Sequence, residues 1–200
     1  MIAVIDYGAG NLASISNGFK KIGSNVKIID DPKLLKAADA IVLPGVGAFG
    51  DAMQELKSYR ETLLDEIESG KPFLGVCLGI QLLMDSSDES QGAEGLGIFP
   101  GTCKRFKTDL KVPHMGWNTL RKTKDTPLLD GIMDGDFFYF VHSYYVVPND
   151  AKVIAAETEY DITFPSIISQ DNIHAMQFHP EKSSTKGLKI LENFAKETKK

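Results

Sequence analysis

Cys77 lies between Gly75 and Gly79 in Pro72-Phe73-Leu74-Gly75-Val76-Cys77-Leu78-Gly79-Ile80-Gln81, a run that reads as a buried strand, a sharp turn and a helix. Glycines two residues before and two residues after the cysteine let the backbone turn tightly and leave room for a substrate. At the carboxyl end of a strand and the amino end of a helix, the helix dipole favours thiolate over thiol. That is the arrangement of a nucleophile elbow. A buried, inert cysteine in a strand-to-helix turn would carry the same local sequence, so the reading needs a base to go with it.

Phe178-His179-Pro180-Glu181 supplies the base. A side chain must take the thiol proton and later return it to a leaving group, and a carboxylate must fix the imidazole tautomer and stabilise its charged form. With residues 173–178 extended, the side chains of His179 and Glu181 fall on the same side, and Pro180 stiffens the link. A surface histidine and a capping glutamate ahead of the last helix are the plain alternatives. An elbow cysteine and such a pair are far less expected together than either alone.

The third element is Leu43-Pro44-Gly45-Val46-Gly47-Ala48-Phe49-Gly50-Asp51, between an expected strand and an expected helix. Backbone N–H groups exposed by a glycine-rich loop suit either a phosphate or the oxyanion formed when a thiolate attacks an amide carbonyl. The loop lacks the Lys-Ser/Thr ending of a phosphate-binding loop and is not spaced Gly-x-Gly-x-x-Gly. Oxyanion stabilisation is the better reading, with the N–H of Val46 or Gly47 and that of Leu78 as donors. A simple tight turn is the alternative.

These three segments need a frame. The first half alternates strands over 2–5, 25–29, 40–43 and 72–76 with helices over 12–22, 32–37, 50–68 and 78–84. Near-continuous apolar strands separated by helices require a parallel sheet covered on both faces, and the right-handed crossover rule makes it doubly wound. After Gly92 the pattern changes to closely spaced strands over 137–147, 153–157, 166–169 and 173–177, expected as antiparallel additions. Residues 187–199 have helical spacing and close the domain. The whole is expected to be a single α/β domain over 1–200.

Bulk properties remove other classes. With 42% hydrophobic and 24% charged residues the chain is an ordinary globular one rather than a disordered or fibrous one. A net charge of -5 without a local Lys/Arg cluster argues against nucleic acid as a partner. Ile2-Ala3-Val4-Ile5 reads as a strand with no signal-peptide features around it, and no apolar run is long enough for a membrane span. The two cysteines, Cys77 and Cys103, then point to a reducing compartment, the cytoplasm. The spacings of His114, His142, His174 and His179 fit no zinc motif, so neither a metal nor an organic cofactor is expected.

Pro44-Gly45-Val46-Gly47, Gly75-Val76-Cys77-Leu78-Gly79-Ile80-Gln81 and Phe178-His179-Pro180-Glu181, in that order, resemble the motifs of class I (triad-type) glutamine amidotransferases across nearly the whole chain. The resemblance implies a flavodoxin-like core and a Cys77–His179–Glu181 triad that releases ammonia from glutamine through a cysteinyl thioester. It also implies that Gly47, Gln81, His142 and Ser143 contact glutamine, and that an acid after the elbow helix receives the α-amino group, Glu89 being best placed with Asp88 beside it.

Within that family, Asp6-Tyr7-Gly8-Ala9-Gly10-Asn11, Pro113-His114-Met115-Gly116-Trp117-Asn118, Tyr139-Phe140-Val141-His142-Ser143-Tyr144 and Lys182-Ser183-Ser184 resemble glutaminase subunits that serve a (β/α)8-barrel cyclase in histidine biosynthesis. The resemblance puts Asn11, His114, Met115, Trp117, Asn118 and Lys182 on the partner side. From the residues alone, the segment 113–118 is a short turn with an aromatic anchor, and Asn11 is a helix N-cap. A glutaminase with another acceptor, such as a sugar, and a non-catalytic flavodoxin-like binding module are the competing readings.

Overall fold

The computed structural model describes residues 1–198. Its strands are β1 (Ile2–Ile5), β2 (Val26–Ile29), β3 (Ala40–Gly45), β4 (Phe73–Cys77), β5 (Ser86–Ser87), β6 (Gly101–Arg105), β7 (His114–Thr119), β8 (Arg121–Lys122), β9 (Phe137–His142), β10 (Tyr144–Pro148), β11 (Ile154–Tyr160), β12 (Ile162–Gln170) and β13 (Ile173–Met176). The helices are α1 (Leu12–Lys21), α2 (Phe49–Glu55), α3 (Arg60–Glu68), α4 (Leu78–Gln81) and α5 (Ser184–Glu197).

Eight strands form one sheet in the order β2-β1-β3-β4-β13-β12-β11-β8. The first five pair in parallel, and β12, β11 and β8 extend the sheet antiparallel. This is the flavodoxin-like doubly wound arrangement with antiparallel additions, and it carries ligands beyond the carboxyl ends of its parallel strands. Both faces of the central strands are buried. Ala3, Ile5, Ile41 and Leu43 join the core on one face with Phe49, Leu56 and Leu63, while Ile2, Val4, Ala40 and Val42 join the other with Phe19, Ile190 and Phe194. No helix among the described residues is long and apolar enough to cross a membrane.

Several boundaries differ from the expected ones for physical reasons. The helix expected over 50–68 is broken into α2, a 3-10 turn at Leu56–Ser58, and α3. The break turns buried Tyr59 inward, where its hydroxyl donates to the Asp6 carbonyl at 3.0 Å and the Ile29 carbonyl at 3.3 Å. The elbow helix stops at Gln81 rather than 84. The strand expected over 137–147 is two strands, because the chain leaves its pairing with β7 at Ser143 and joins β6. The segment expected as a turn over 113–118 instead contributes to β7 (His114–Thr119), paired antiparallel with β9. β11 and β12 are longer than expected, and the final helix begins at Ser184; position 199 of the expected helix lies outside the described residues.

Candidate active site

Cys77 ends β4 and caps α4 with φ 57° and ψ -109°, a backbone that a non-glycine residue adopts only under strain. Such strain costs on the order of 1–3 kcal/mol and is found at nucleophile turns, where it pushes the reactive atom out of the chain's path. The flanking glycines act differently from expectation. Neither has a positive φ, and neither opens space for substrate. A Cβ on Gly75 would come within 2.9 Å of the Gly79 carbonyl, and one on Gly79 would overlap the Leu43 carbonyl oxygen. The pair lets α4 lie directly on the backbones of β3 and β4, which fixes where the elbow stands.

His179 follows β13, the parallel neighbour of β4, so the His179 and Cys77 side chains emerge from the same edge of the sheet. Its backbone is clamped from both sides: its N–H donates to the Tyr139 carbonyl at 2.9 Å, and its carbonyl accepts from Ser183 Oγ at 2.6 Å. Nδ1 lies 2.9 Å from Glu181 Oε1, with both side chains buried. Nε2 is buried without a geometric hydrogen-bond partner among the described residues, while the Cys77 sulfur lies near enough to raise the ring's pKa. Burial pushes the His179 pKa down, but the Cys77 sulfur and the Glu181 carboxylate outweigh it and raise the value to about 10. The ring is built to carry a proton beside Cys77 and Glu181.

Cys77 and His179 open into a cavity of about 310 Å³ lined also by Val46, Gly47, Leu78, Gln81, Glu89, His142 and Ser143. Every residue expected to stabilise an oxyanion or contact substrate is therefore in one place. Leu78 is the first residue of α4, whose N–H has no acceptor within its own helix. Gln81 gives its amide N–H groups to the Tyr144 carbonyl and to Gln177 Oε1, both at 3.2 Å, which leaves its oxygen as the available acceptor. Glu89 Oε2 accepts from Phe49 N–H at 2.7 Å.

The loop between β3 and α2 is held at one end only. A Cβ at Gly45 would meet Tyr7 Oη at 2.5 Å and Leu78 Cβ at 2.8 Å, so this residue is wedged in place. Gly47, with φ +106°, has nothing within 4 Å of where its Cβ would be, and Val46 is 47% exposed. Tyr7, given no role from sequence, sits under the loop with its buried hydroxyl unpartnered among the described residues and its pKa raised by burial and by Cys77. Ser90, whose Oγ accepts from Gly50 N–H at 3.0 Å, was equally invisible, because nothing local ties it to a helix so far away in sequence.

The residues expected on the partner side divide. Met115 and Trp117 are 55% and 53% exposed, Lys182 is exposed and lies 5.9 Å above the Tyr139 ring, and exposed Asn11 caps α1 through Ser14 N–H. His114 does not join them. It is 3% exposed, stacked between Phe140 and Tyr160 and hydrogen-bonded to His142, so direct contact with a partner is corrected to an internal role. Asn118 bonds inward as well, to His114 and to the Glu159 carbonyl. Among the described residues no cluster of three His, Cys, Asp or Glu side chains forms that could hold a metal ion.

A strained cysteine elbow, a carboxylate-held histidine and a glycine loop at the carboxyl edge of a flavodoxin-like sheet define a glutamine amidotransferase of the triad type. The family model for glutamine amidotransferase class-I matches residues 3–198, and the chain belongs to that family. It is 55% identical over 194 residues to the imidazole glycerol phosphate synthase subunit HisH of Methanothermobacter thermautotrophicus, covering 97% of each chain. It is 50% identical to the protein of the same name from Methanocaldococcus jannaschii, covering 97% of this chain and 98% of that one. Solved structures share the fold at lower identity. A GMP synthase component of Thermoplasma acidophilum aligns with a TM-score of 0.75 at 20% identity, over 99% of this chain and 93% of that one. PurLQS of Thermotoga maritima aligns with a TM-score of 0.76 at 17% identity, over 96% of each.

Proposed function

We propose that this chain is the glutaminase subunit of an imidazole glycerol phosphate synthase, releasing ammonia from glutamine and passing it to a (β/α)8-barrel cyclase in the cytoplasm. The observation that carries the reading is the convergence of Cys77, His179, Gln81 and Glu89 on one cavity in a chain about half identical to subunits of that name.

The Cys77 thiolate attacks the carboxamide carbon of glutamine, and the carbonyl oxygen becomes an oxyanion facing the N–H of Leu78 and that of Val46 or Gly47. As the C–N bond breaks, protonated His179 gives its Nε2 proton to the departing nitrogen, so that ammonia leaves and a thioester remains. Water then attacks the thioester while neutral His179 takes its proton. Collapse of the second oxyanion breaks the C–S bond, releasing glutamate and restoring the thiolate. Glu181 holds the ring by Nδ1 throughout. Glu89 faces the α-ammonium of the substrate.

The partner docks over exposed Met115, Trp117 and Phe137 on β7 and β9, an apolar face with Lys182 over its Tyr139 ring, and Asn11 is a further proposed contact. The test pairs the chain with a (β/α)8-barrel cyclase and its acceptor, N'-[(5-phosphoribulosyl)formimino]-aminoimidazole carboxamide ribonucleotide. Glutamine-dependent product formation is expected, lost in Cys77→Ala and restored by ammonium salts at alkaline pH. Product formation from glutamine by the Cys77→Ala pair, or none from ammonium, would overturn the reading.

A further inference from the structure

Behind the cavity wall, His142 and His114 form a hydrogen-bonded pair whose proton positions are fixed by the groups at either end. Asn118 Oδ1 accepts from Thr119 N–H at 2.8 Å, which sets the orientation of the amide. Asn118 Nδ2 then donates to the Glu159 carbonyl at 2.8 Å and lies 3.2 Å from His114 Nε2. An amide nitrogen only donates, so His114 Nε2 accepts and carries no proton. The neutral ring has its proton on Nδ1, 3.0 Å from His142 Nε2, which must accept in turn. The proton of His142 is therefore on Nδ1, and it is given to the Tyr144 carbonyl at 2.8 Å. That carbonyl also takes the amide of Gln81.

Neutrality of both rings is enforced by their surroundings. His114 lies between the rings of Phe140 and Tyr160, at 4.9 Å and 4.1 Å, and Phe106 and Phe164 close over His142 at 5.2 Å and 5.1 Å. In that aromatic cage burial lowers the pKa of His114 to about 4 and that of His142 to about 3. A chain of donors thus runs one way, from Asn118 through both rings to the backbone that borders the substrate cavity. His142 and Tyr144 line that cavity, while His114 touches none of it.

We propose that His114 is a positioning residue for glutamine hydrolysis: by donating to His142 Nε2 it holds His142 as its Nδ1–H tautomer and so fixes the Tyr144 carbonyl and the Gln81 amide against the substrate. The proposal rests on reading the cavity as the glutamine site. A histidine pair that merely fills the core would stabilise the fold without affecting substrate affinity, and two substitutions separate the cases. His114→Phe keeps the stack between Phe140 and Tyr160 but cannot donate. His114→Asn gives up the stack but keeps an N–H near the position of Nδ1–H.

The experiment measures KM for glutamine in the full complex, together with the ¹⁵N spectrum of the His142 ring at pH 7. The expected result is a neutral Nδ1–H His142 in the wild type and a roughly tenfold higher KM in His114→Phe, the scale of one lost hydrogen bond. His114→Asn should be less stable yet stay closer to wild type in KM. A wild-type His142 carrying its proton on Nε2, or a folded His114→Phe protein with unchanged KM, would overturn the proposal. The tautomer is read on the wild type, so a proton on Nε2 would overturn the proposal even if His114→Phe does not fold, and the KM of His114→Asn, raised if the bond to His142 were not what matters, then supplies the functional arm. The tautomer is also independent of turnover, so failure of the glutaminase reading would show instead as absence of glutamate release.

Discussion

Glu89 Oε2 accepts a 2.7 Å hydrogen bond from the backbone N–H of Phe49, the first residue of α2, across a sequence separation of 40. The same acidic side chain lines the cavity shared with Cys77 and His179, so one carboxylate both faces that cavity and anchors the helix that follows Gly47. Glu89→Gln should raise KM for glutamine by roughly tenfold to a hundredfold, as expected for losing a charge-assisted hydrogen bond of about 1.5–3 kcal/mol, with a smaller change in kcat. Ser90→Ala, which removes only the neighbouring bond to Gly50 N–H, should cost about 1 kcal/mol of stability and leave KM nearly unchanged. Steady-state kinetics with denaturant titrations check both. An unaltered KM in Glu89→Gln would remove this carboxylate from the binding site.

The raised pKa of His179 depends on its neighbours. Burial alone would lower it, and Cys77 and Glu181 reverse the direction to about 10. A folded-state value above the ordinary 6.5 gives a contribution to stability that is complete below pH 6.5 and fades as pH rises through about 10. In Cys77→Ala the imidazole loses one of the two neighbours that raise its pKa, so its pKa should fall and the window should move to lower pH. A histidine NMR titration of both proteins reads this directly, and an unchanged His179 pKa would mean that the cysteine is not its partner.

His114 and His142 work in the opposite sense. Their folded-state values, about 4 and about 3, lie below the ordinary 6.5, so the unfolded chain binds more protons than the native one between these limits. Stability should be intact above pH 6.5 and decline as pH falls towards 4. His114→Phe, which leaves one such histidine, should show a shallower decline. Urea titrations at about pH 7, 6 and 5 measure the slope, and equal slopes in the two proteins would contradict neutral burial of His114.

The glycines around the site should differ in what they tolerate. Gly79→Ala puts a methyl group onto the Leu43 carbonyl oxygen and should cost about 3 kcal/mol or more, or prevent folding, as overpacking and backbone displacement combine. Gly47→Ala meets no atom but must hold φ near +106°, at a cost of about 1–2 kcal/mol, and should lower kcat more than it lowers stability if the loop, which lines the cavity, supplies the proposed oxyanion donor. Thermal melts and kcat values for the two variants test the ordering. A fully stable Gly79→Ala protein would contradict the packing described for α4.

The parts of this site that can be read from sequence are those whose chemistry is local. Gly75 to Gln81 and Phe178 to Glu181 each carry a nucleophile, or a base with its acid, within a few residues, and the strand-helix alternation places them at one sheet edge. The parallel core is legible because β1, β3 and β4 are fully apolar, as strands covered on both faces must be. What escapes is set by distant partners. β7 reads as a turn because Pro113 precedes it and Gly116 interrupts it, and only pairing with β9 makes it extended. The aromatic run from Phe137 gives no sign that it changes sheets at Ser143. Exposed Met115 and Trp117 and buried His114 sit in one motif, and the period-two alternation that turns 115 and 117 outward and 114 inward is readable only once the segment is seen to be a strand. Gly75 and Gly79 read as required at the elbow, but the physical reason differs from the expected one, since the backbone they accommodate belongs to α4 and β3 rather than to a substrate.

The Cys77 sulfur is expected to form the glutamyl thioester, and a reagent that traps this thiolate tests that directly. The native protein is incubated with a glutamine-shaped diazoketone, an electrophile that alkylates a thiolate held where the carboxamide carbon would stand, and digested for peptide mass spectrometry. The account predicts one adduct, on Cys77, suppressed by excess glutamine and absent from Cys77→Ser. Cys103, buried against the Gln81 carbonyl with its pKa pushed up by burial, should remain unmodified. An adduct on Cys103 with Cys77 untouched, or glutamate release from glutamine by a folded Cys77→Ala protein, would contradict it.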